Sequence, residues 1–270
     1  MPQKTKLLQK RYEGFLQTPC LWKDHTVFDL EQFKIDKKST QINIEIDEKI
    51  RLGKYIERLV SFQLAQENAI DILCENVQIQ KEKRTLGELD CILKQENTVI
   101  HLEIIYKFYL YDAAVGNSEI EHFIGPNRKD SLLEKLTKLK EKQLPLLYSD
   151  ECKTYLSSIN LESSSIQQQV YFKAQLFVPF SDRKIQLRQL NTDCICGFYI
   201  HQKEIHQFVD NKFYIPNKKD WIVIPHENVY WISHTNFLPI AEEYAQKKFS
   251  PLCWMKQQNG EILKMFLVWW

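Results

Sequence analysis

Two acidic residues interrupt otherwise apolar stretches, and they restrict the fold of this chain more than any other feature of its sequence. Asp90 lies in the strand-like stretch 86–94, and Glu103 lies in the stretch 99–110, which is rich in β-branched and aromatic residues. A carboxylate inside such a strand costs free energy unless a hydrogen bond or an opposite charge compensates it. The fold must therefore supply a partner for each acid.

The spacing of the two stretches predicts how the acids meet. A hairpin that turns between the stretches puts Lys94 opposite Val99. Four residues further from the turn on each strand, the same register puts Asp90 opposite Glu103. Facing residues have Cβ atoms about 4.5–5.5 Å apart, so two carboxylates repel each other unless a cation or a proton neutralises them. The predicted register therefore creates an electrostatic conflict.

Two interpretations of this pair remain open. A divalent ion held by both carboxylates, with further positions for water and a substrate phosphate, describes a Mg²⁺ or Mn²⁺ site for phosphodiester chemistry. Alternatively, one acid faces solvent or pairs with Arg84 or Lys107.

His101 and Glu88 have the strand parity of the acids. His101 serves in proton transfer or is a hydrogen-bonded structural residue, and Glu88 is a further acid in the cleft or a solvent-facing turn residue.

Hydrophobic periodicity around the hairpin predicts an α/β (α+β) fold with a mixed central sheet. Apolar residues recur at helical spacing over 50–66 and 131–144, and we expect Pro145 to end the second helix. With the predicted strands, the order of the core is αβββαβ. These strands are 72–80, 86–94, 99–110 and 170–178.

The pattern predicts three consecutive segments along the chain. They are an N-terminal helical extension (1–46, with a helix at 7–16), a core (47–180) and an aromatic-rich C-terminal elaboration packed on the core (181–270). Within the last segment we expect strands at 221–224 and 229–232 and a hairpin about 258–260.

Composition restricts location and partners. Lys and Arg total 36 and Asp and Glu total 35, so no global basic field marks a nucleic-acid binder. Residues 128–142 carry a local basic surplus, which contacts a nucleic-acid backbone or is a solvated helix face. No apolar run approaches the roughly 18 residues of a membrane span, the N-terminus does not resemble a signal peptide, and seven scattered cysteines fit reduced thiols. We therefore expect a cytoplasmic protein with no membrane partner; its oligomeric state is left open.

Cys194, Cys196, His201 and His206 form the single Cys/His cluster of the sequence. Their spacing, C-x-C-x4-H-x4-H, differs from the usual zinc-binding patterns. They form either a structural metal site or part of a core strand with buried thiols.

The order αβββαβ, with Asp90, Glu103 and a following lysine, resembles the PD-(D/E)XK nuclease superfamily, which has the restriction-endonuclease-like fold. Four segments are similar to an uncharacterised bacterial family assigned to that superfamily, the domain of unknown function 1853. They are 52–57, 84–90, 103–110 and 125–127. The resemblance implies that Asp90 and Glu103 bind Mg²⁺ or Mn²⁺ and that the protein hydrolyses phosphodiester bonds in DNA or RNA.

The chain departs from the superfamily pattern at its lysine. The pattern implies a lysine two residues after Glu103, where Ile105 stands instead. Lys107 has the same strand parity but lies about 6.6 Å further along the strand, so it either positions the attacking water or contacts phosphate from the rim. The resemblance also implies a carboxylate from the first core helix, and Glu57 is its candidate, facing either the site or water.

Two functions remain in consideration. One is a Mg²⁺-dependent nuclease that uses Asp90, Glu103, Glu57 and Lys107. The other is a catalytically inactive module of the same fold, which binds nucleic acid or protein and has lost its lysine at Ile105. No P-loop, G-x-S-x-G or H-E-x-x-H motif occurs in the chain, so the sequence carries none of the usual signatures of those classes.

Overall fold

The computed structural model describes residues 3–36 and 40–270. Residues 1, 2 and 37–39, which belong to the predicted N-terminal extension, lie outside the described residues. The described chain has a mixed α/β architecture, as predicted. Its helices are α1 (Gln3–Gln17), α2 (Leu52–Leu64), α3 (Leu132–Lys138), α4 (Asp150–Ser158) and α5 (His234–Gln246). Its strands are β1 (Ile70–Lys81), β2 (Arg84–Gln95), β3 (Thr98–Tyr111), β4 (Phe123–Ile124), β5 (Ile166–Pro179), β6 (Ile195–His201), β7 (Lys212–Tyr214), β8 (Ile232–Ser233), β9 (Leu252–Lys256) and β10 (Ile262–Val268).

The chain divides into two compact units that are interleaved in sequence. Unit 1 comprises Met1–Pro19, Lys107–Leu133 and Ala174–Trp270, and unit 2 comprises Cys20–Tyr106 and Glu134–Lys173. The division into three consecutive segments at 46 and 180 stays a prediction.

Unit 2 contains the predicted hairpin. β1, β2 and β3 form an antiparallel meander in which Lys94 faces Val99 and Cys91 faces Leu102, so the predicted register is correct. α4 packs on β1. A buried apolar cluster joins these elements; its members are Ile79, Leu89, Ile92, Leu147, Cys152, Leu156 and Ile166.

The predicted helix 131–144 is present but irregular. After α3 the backbone forms a π-helical turn over Leu139–Gln143 and then a 3₁₀ turn over Leu144–Tyr148. Pro145 therefore does not end the run of helical turns. A proline lacks a backbone N–H, but the N–H groups at the start of a helical turn have no acceptor within the turn, so no hydrogen bond is lost. The π-helical turn carries Gln143, which reaches the candidate site described below.

Unit 1 contains a mixed sheet with the strand order β5-β6-β10-β9-β7-β8. β6 is parallel to β5 and β10, whereas the other pairs are antiparallel. The hairpin predicted about 258–260 is confirmed as the connection between β9 and β10, where Gly260 has a φ of 87°. Only glycine adopts such a backbone conformation without strain.

Two predicted strands of this unit are wrong or displaced. Residues 221–224 begin in a 3₁₀ helix, Lys218–Ile222, instead of a strand. Trp221 and Ile222 are buried there, next to an ion pair between Arg11 and Asp220 at 2.7 Å. A short buried apolar run has the same pattern in a strand and in a helical turn, which explains the error. Of the strand predicted at 229–232, only Ile232 lies in a strand, the two-residue β8.

Sequence periodicity did not predict α4 or α5. The serine-rich stretch 157–165 includes the end of α4 and a 3₁₀ turn at Ser163–Ser165. Within the described residues, no helix combines the length and the apolar composition that crossing a membrane requires.

Candidate metal centre

Acidic side chains from α2 and β2 converge in unit 2. One carboxylate oxygen from each of Glu57, Glu88 and Asp90 lies within 4.8 Å of the other two. Glu88 and Asp90 share a face of β2 because they are two residues apart, and Glu57 reaches them from the helix that precedes the meander. The side chains of Glu57 and Glu88 are 12% and 25% exposed. The cluster is therefore largely withdrawn from water but still open to it.

The ammonium group of Lys54 lies among these acids. Its Nζ donates to Glu57 Oε2 at 2.7 Å, to Asn76 Oδ1 at 2.8 Å and to a carboxylate oxygen of Glu88. Burial raises the pKa of Glu57, and the contact with Lys54 offsets part of that rise. Oxygens from three side chains thus converge on one cation, which shows that the cluster is built to stabilise positive charge.

Asp90 lies where the hydrogen-bonded register of β2 and β3 ends. Beyond the pair Cys91–Leu102, its Oδ2 accepts a hydrogen bond from the backbone N–H of Ile104 at 3.0 Å. Burial raises the pKa of Asp90 to about 7, and the nearby carboxylates of Glu103 and Glu57 contribute to the rise. The electrostatic conflict between Asp90 and Glu103 that the register predicts is therefore present.

Glu103 is fully buried and is held from two sides. Its Oε2 accepts from Gln143 Nε2 at 2.5 Å, and its Oε1 lies 3.3 Å from His101 Nε2. Gln143 is itself fixed, because Lys135 Nζ donates to its Oε1 at 2.7 Å. These contacts fix the orientation of the Glu103 carboxylate.

The proton of His101 can be assigned from its neighbours. Its Nδ1 lies 3.0 Å from Nε2 of Gln168, an amide nitrogen that also donates to the carbonyl oxygen of Leu144 at 2.6 Å. Since an amide nitrogen is only a donor, Nδ1 accepts and the proton of the neutral imidazole is on Nε2. Nε2 of His101 and Oε1 of Glu103 are 3.3 Å apart and buried, but their geometry does not make a hydrogen bond, so His101 contacts the acid without donating to it.

A cavity of about 710 Å³ has Lys54 in its wall. Arg58, Ser61 and Glu75 line it, together with Glu45, Asp47 and apolar side chains from the segment that precedes α2. Lys54 and Arg58 are one helical turn apart, so both cations lie on the same side of α2. The cavity gives a ligand access to the edge of the acid cluster.

The structure brings together some of the predicted site residues and separates others. Glu57 and Asp90 meet in the cluster, and Glu103 lies beside Asp90. Lys107 belongs to unit 1, where its Nζ donates to Asp130 Oδ2 at 2.7 Å. The lysine that contacts the acids is Lys54, which sequence reasoning missed; its position one turn before Glu57 was the available signal.

The other charged and metal-binding motifs of the sequence have structural partners. In the basic stretch 128–142, Arg128 pairs with Asp112 at 3.0 Å and Lys140 pairs with Asp29 at 2.6 Å. Nδ1 of His201 lies 2.6 Å from the carbonyl oxygen of Trp270. Among residues 3–36 and 40–270, the Cys/His cluster does not bring three ligand atoms together; the acid cluster does.

Comparison with known proteins identifies a family over nearly the whole chain. The family described as Domain of unknown function (DUF1853) matches residues 3–268, as the sequence motifs led us to expect. No curated protein and no solved structure matches the chain.

Proposed function

The chain belongs to the DUF1853 family, and since that membership assigns no activity, we propose from the geometry of the acid cluster that it is a Mg²⁺- or Mn²⁺-dependent nuclease of the PD-(D/E)XK type. The single observation that carries the proposal is the convergence of carboxylate oxygens from Glu57, Glu88 and Asp90 within 4.8 Å of one another. Two of these acids, Glu57 and Glu88, already contact a cation, the ammonium group of Lys54. The order α2-β1-β2-β3-α3-β5, with β4 and α4 as additions, supports the same assignment.

The donor set fits a hard divalent ion. Carboxylate oxygens are the ligands that Mg²⁺ and Mn²⁺ prefer, and Asp90, Glu57 and Glu88 offer them from two rigid elements. When bound, such an ion activates water and stabilises the charge that develops on a phosphodiester. Glu103 as a ligand remains a prediction; in our proposal its contacts with Gln143 and His101 hold it beside Asp90.

Lys54 has a second task in this proposal. A bound divalent cation would neutralise the acids in place of the ammonium group of Lys54. The side chain of Lys54 would then be free to turn towards the adjoining cavity. There, together with Arg58, it contacts the phosphate backbone of a nucleic acid. Lys54 thereby replaces the lysine that the superfamily pattern implies at Ile105, a role that was one of two interpretations of Lys107 from the sequence.

An inactive module is the second candidate, and two observations favour it. Ile105 is buried and apolar at the lysine position, and Lys54 already neutralises the acids. In this case the ammonium group takes the place of the metal ion permanently, and the protein binds nucleic acid or protein without cleaving it. DNA and RNA are equally compatible with both candidates.

A metal titration combined with a cleavage assay tests the proposal. We expect Mg²⁺ or Mn²⁺ to raise the melting temperature by several degrees and to support cleavage of single-stranded or duplex DNA or RNA, with both effects lost in EDTA. Asp90→Asn and Glu57→Gln should abolish both effects. Asp71→Asn, which changes an exposed acid of β1, is the matched control and should retain them.

Further variants separate the roles. Lys54→Met should bind the metal ion more tightly, because the competing cation is gone, and should cleave at least about tenfold more slowly. A larger loss in Lys107→Ala would return the lysine role to Lys107. Loss of metal binding in Glu103→Gln but not in Glu88→Gln would make Glu103 the ligand. Metal binding by the wild type without cleavage would favour the inactive module, and no metal-dependent shift would refute the metal site.

A further inference from the structure

Unit 1 contains a buried lysine whose charge no described carboxylate compensates. Lys264 lies in the middle of β10 between apolar neighbours and is 6% exposed. Its Nζ donates to Gln175 Oε1 at 2.9 Å and to the carbonyl oxygen of Trp221 at 2.8 Å. Both acceptors are neutral, and Lys264 forms no ion pair with any described carboxylate. A buried ammonium group without a counter-charge is costly, so this side chain needs another explanation.

A cavity of about 260 Å³ contains this lysine in its wall. Apolar side chains of Ile222, Ile262 and Leu263 line the cavity, and so do the polar residues Gln175 and Cys196. The thiol of Cys196 lies 3.5 Å from the same Gln175 oxygen that accepts from Lys264. The amine is thus withdrawn from bulk water but remains accessible to a small molecule.

The hydrogen bonds of Lys264 match a neutral amine. An uncharged amino group has two N–H donors and one lone pair, and the two acceptors take both donors. An ammonium group has a third donor for which the described residues provide no acceptor. Burial also lowers the pKa of Lys264 to about 8, with Cys196 opposing part of the decrease. A pKa of about 8 leaves roughly a tenth of the Lys264 amine unprotonated at pH 7, far more than for an ordinary lysine, and this fraction carries the lone pair that a nucleophilic lysine needs.

We propose that this cavity is a binding site for a small aldehyde or ketone, which Nζ of Lys264 holds covalently as an imine. The lone pair of the amine attacks the carbonyl carbon, and a C–N bond forms while the carbonyl oxygen takes up a proton. The resulting carbinolamine then loses its hydroxyl group and the remaining N–H proton as water. The amine and the carbonyl compound thus give an imine and one water molecule, with no oxidant or reductant.

Reductive trapping tests the site on the full-length protein. Propanal and cyanoborohydride, in EDTA at pH 7, convert an imine into a stable propyl amine that peptide mass spectrometry locates. We expect Lys264 to be modified at least about tenfold faster than Lys203 and Lys212, whose side chains are exposed to solvent. Modification of Lys264 no faster than those two lysines in the folded wild type would overturn the proposal.

Two variants and a pH profile complete the test. Lys264→Met should remove the rapid modification. Ile262→Trp, which fills the cavity and keeps the lysine, should slow it at Lys264 alone, and an unchanged rate would contradict the cavity as the binding site. The rate should level off above about pH 8, whereas that of exposed lysines should still rise. The other titratable groups that line the cavity are Asp193, Cys194 and Cys196. Because the assay is run in EDTA, its outcome does not depend on the proposed metal centre.

Discussion

At the scale of the residue, the burial of Asp90 beside Glu103 makes the stability of the protein depend on pH. The pKa of Asp90 is raised from its ordinary value of 3.8 to about 7 in the folded state. Between these two values the folded state holds a proton that the unfolded state has lost, so the free energy of unfolding decreases as the pH rises through this range. The effect is largest in the absence of a divalent ion.

The variant Asp90→Asn should remove this dependence. In EDTA, we expect the melting temperature of the wild type to fall more steeply between pH 4.5 and pH 7.5 than that of Asp90→Asn, and we expect the variant to be the more stable of the two at pH 7.5. Asp71→Asn should keep the slope of the wild type. Parallel profiles for the wild type and Asp90→Asn would show that the carboxyl group at position 90 titrates normally.

The sequence allowed the acids to be predicted better than their partners. Strand parity and hairpin register were sufficient to predict that Asp90 and Glu103 lie near enough to interact, because both depend only on local spacing. The side chains that hold the acids come from distant segments: Lys54 lies 34 residues from Glu88, and Gln143 lies 40 residues from Glu103. No local pattern signals such contacts, so they became visible only in the folded chain.

At the scale of the element, one glycine allows two strands of unit 1 to approach. Gly197 of β6 pairs with Lys264 of β10, and a Cβ at position 197 would lie 2.3 Å from the backbone oxygen of Lys264 and 2.8 Å from the ring of Phe177. A backbone oxygen cannot move aside as a flexible side chain can. The spacing of the β6–β10 pair therefore requires glycine at this position.

We expect Gly197→Ala to lower the free energy of unfolding by about 1–3 kcal/mol, the usual cost of inserting a methyl group into a packed interior. Gly53→Ala is the matched control, since a Cβ at position 53 of α2 meets nothing within 4 Å. It should be neutral or stabilising by up to about 1 kcal/mol through helix propensity. Urea denaturation measures both, and equal effects of the two substitutions would contradict the packing argument.

Elements with a strong period were predictable, and irregular ones were not. The apolar face of α2 and the β-branched residues of β3 identified both elements to within two residues of their observed ends. The π-helical turn Leu139–Gln143 has no distinct sequence signal, because it differs from an α-helix only in which carbonyl accepts each N–H. Its consequence, the inward position of Gln143, was for the same reason not foreseen.

At the scale of the whole molecule, the interleaving of the two units determines which fragments can fold. A division at 46 and 180, as predicted from the sequence, would cut through unit 1, which needs segments from three parts of the chain. β5 in particular pairs with β6 over Leu176–Pro179, and β6 lies beyond residue 180. The strand pattern alone could not reveal this, because parallel partners are joined by connections of variable length.

We therefore expect the fragment 47–180 not to fold cooperatively. It retains the buried residues Phe177 and Val178 of β5 but lacks the strand that pairs with this part of β5, so it should bind a dye that reports exposed apolar surface and should show no sharp thermal transition. The full chain, treated identically, should show one. A sharp transition for the fragment would instead support the division into three consecutive segments.

The parallel pairing of β6 with β5 and β10 also determines when this sheet can form during translation. β10 follows the end of β5 by more than 80 residues, and ribosomes add roughly 5–20 residues per second. For several seconds the nascent chain therefore carries β5 and β6 without the strand that completes their sheet. Unpaired apolar strands are prone to aggregate. Rare codons that slow translation after β6 should therefore lower the yield of native protein more than rare codons placed before β5.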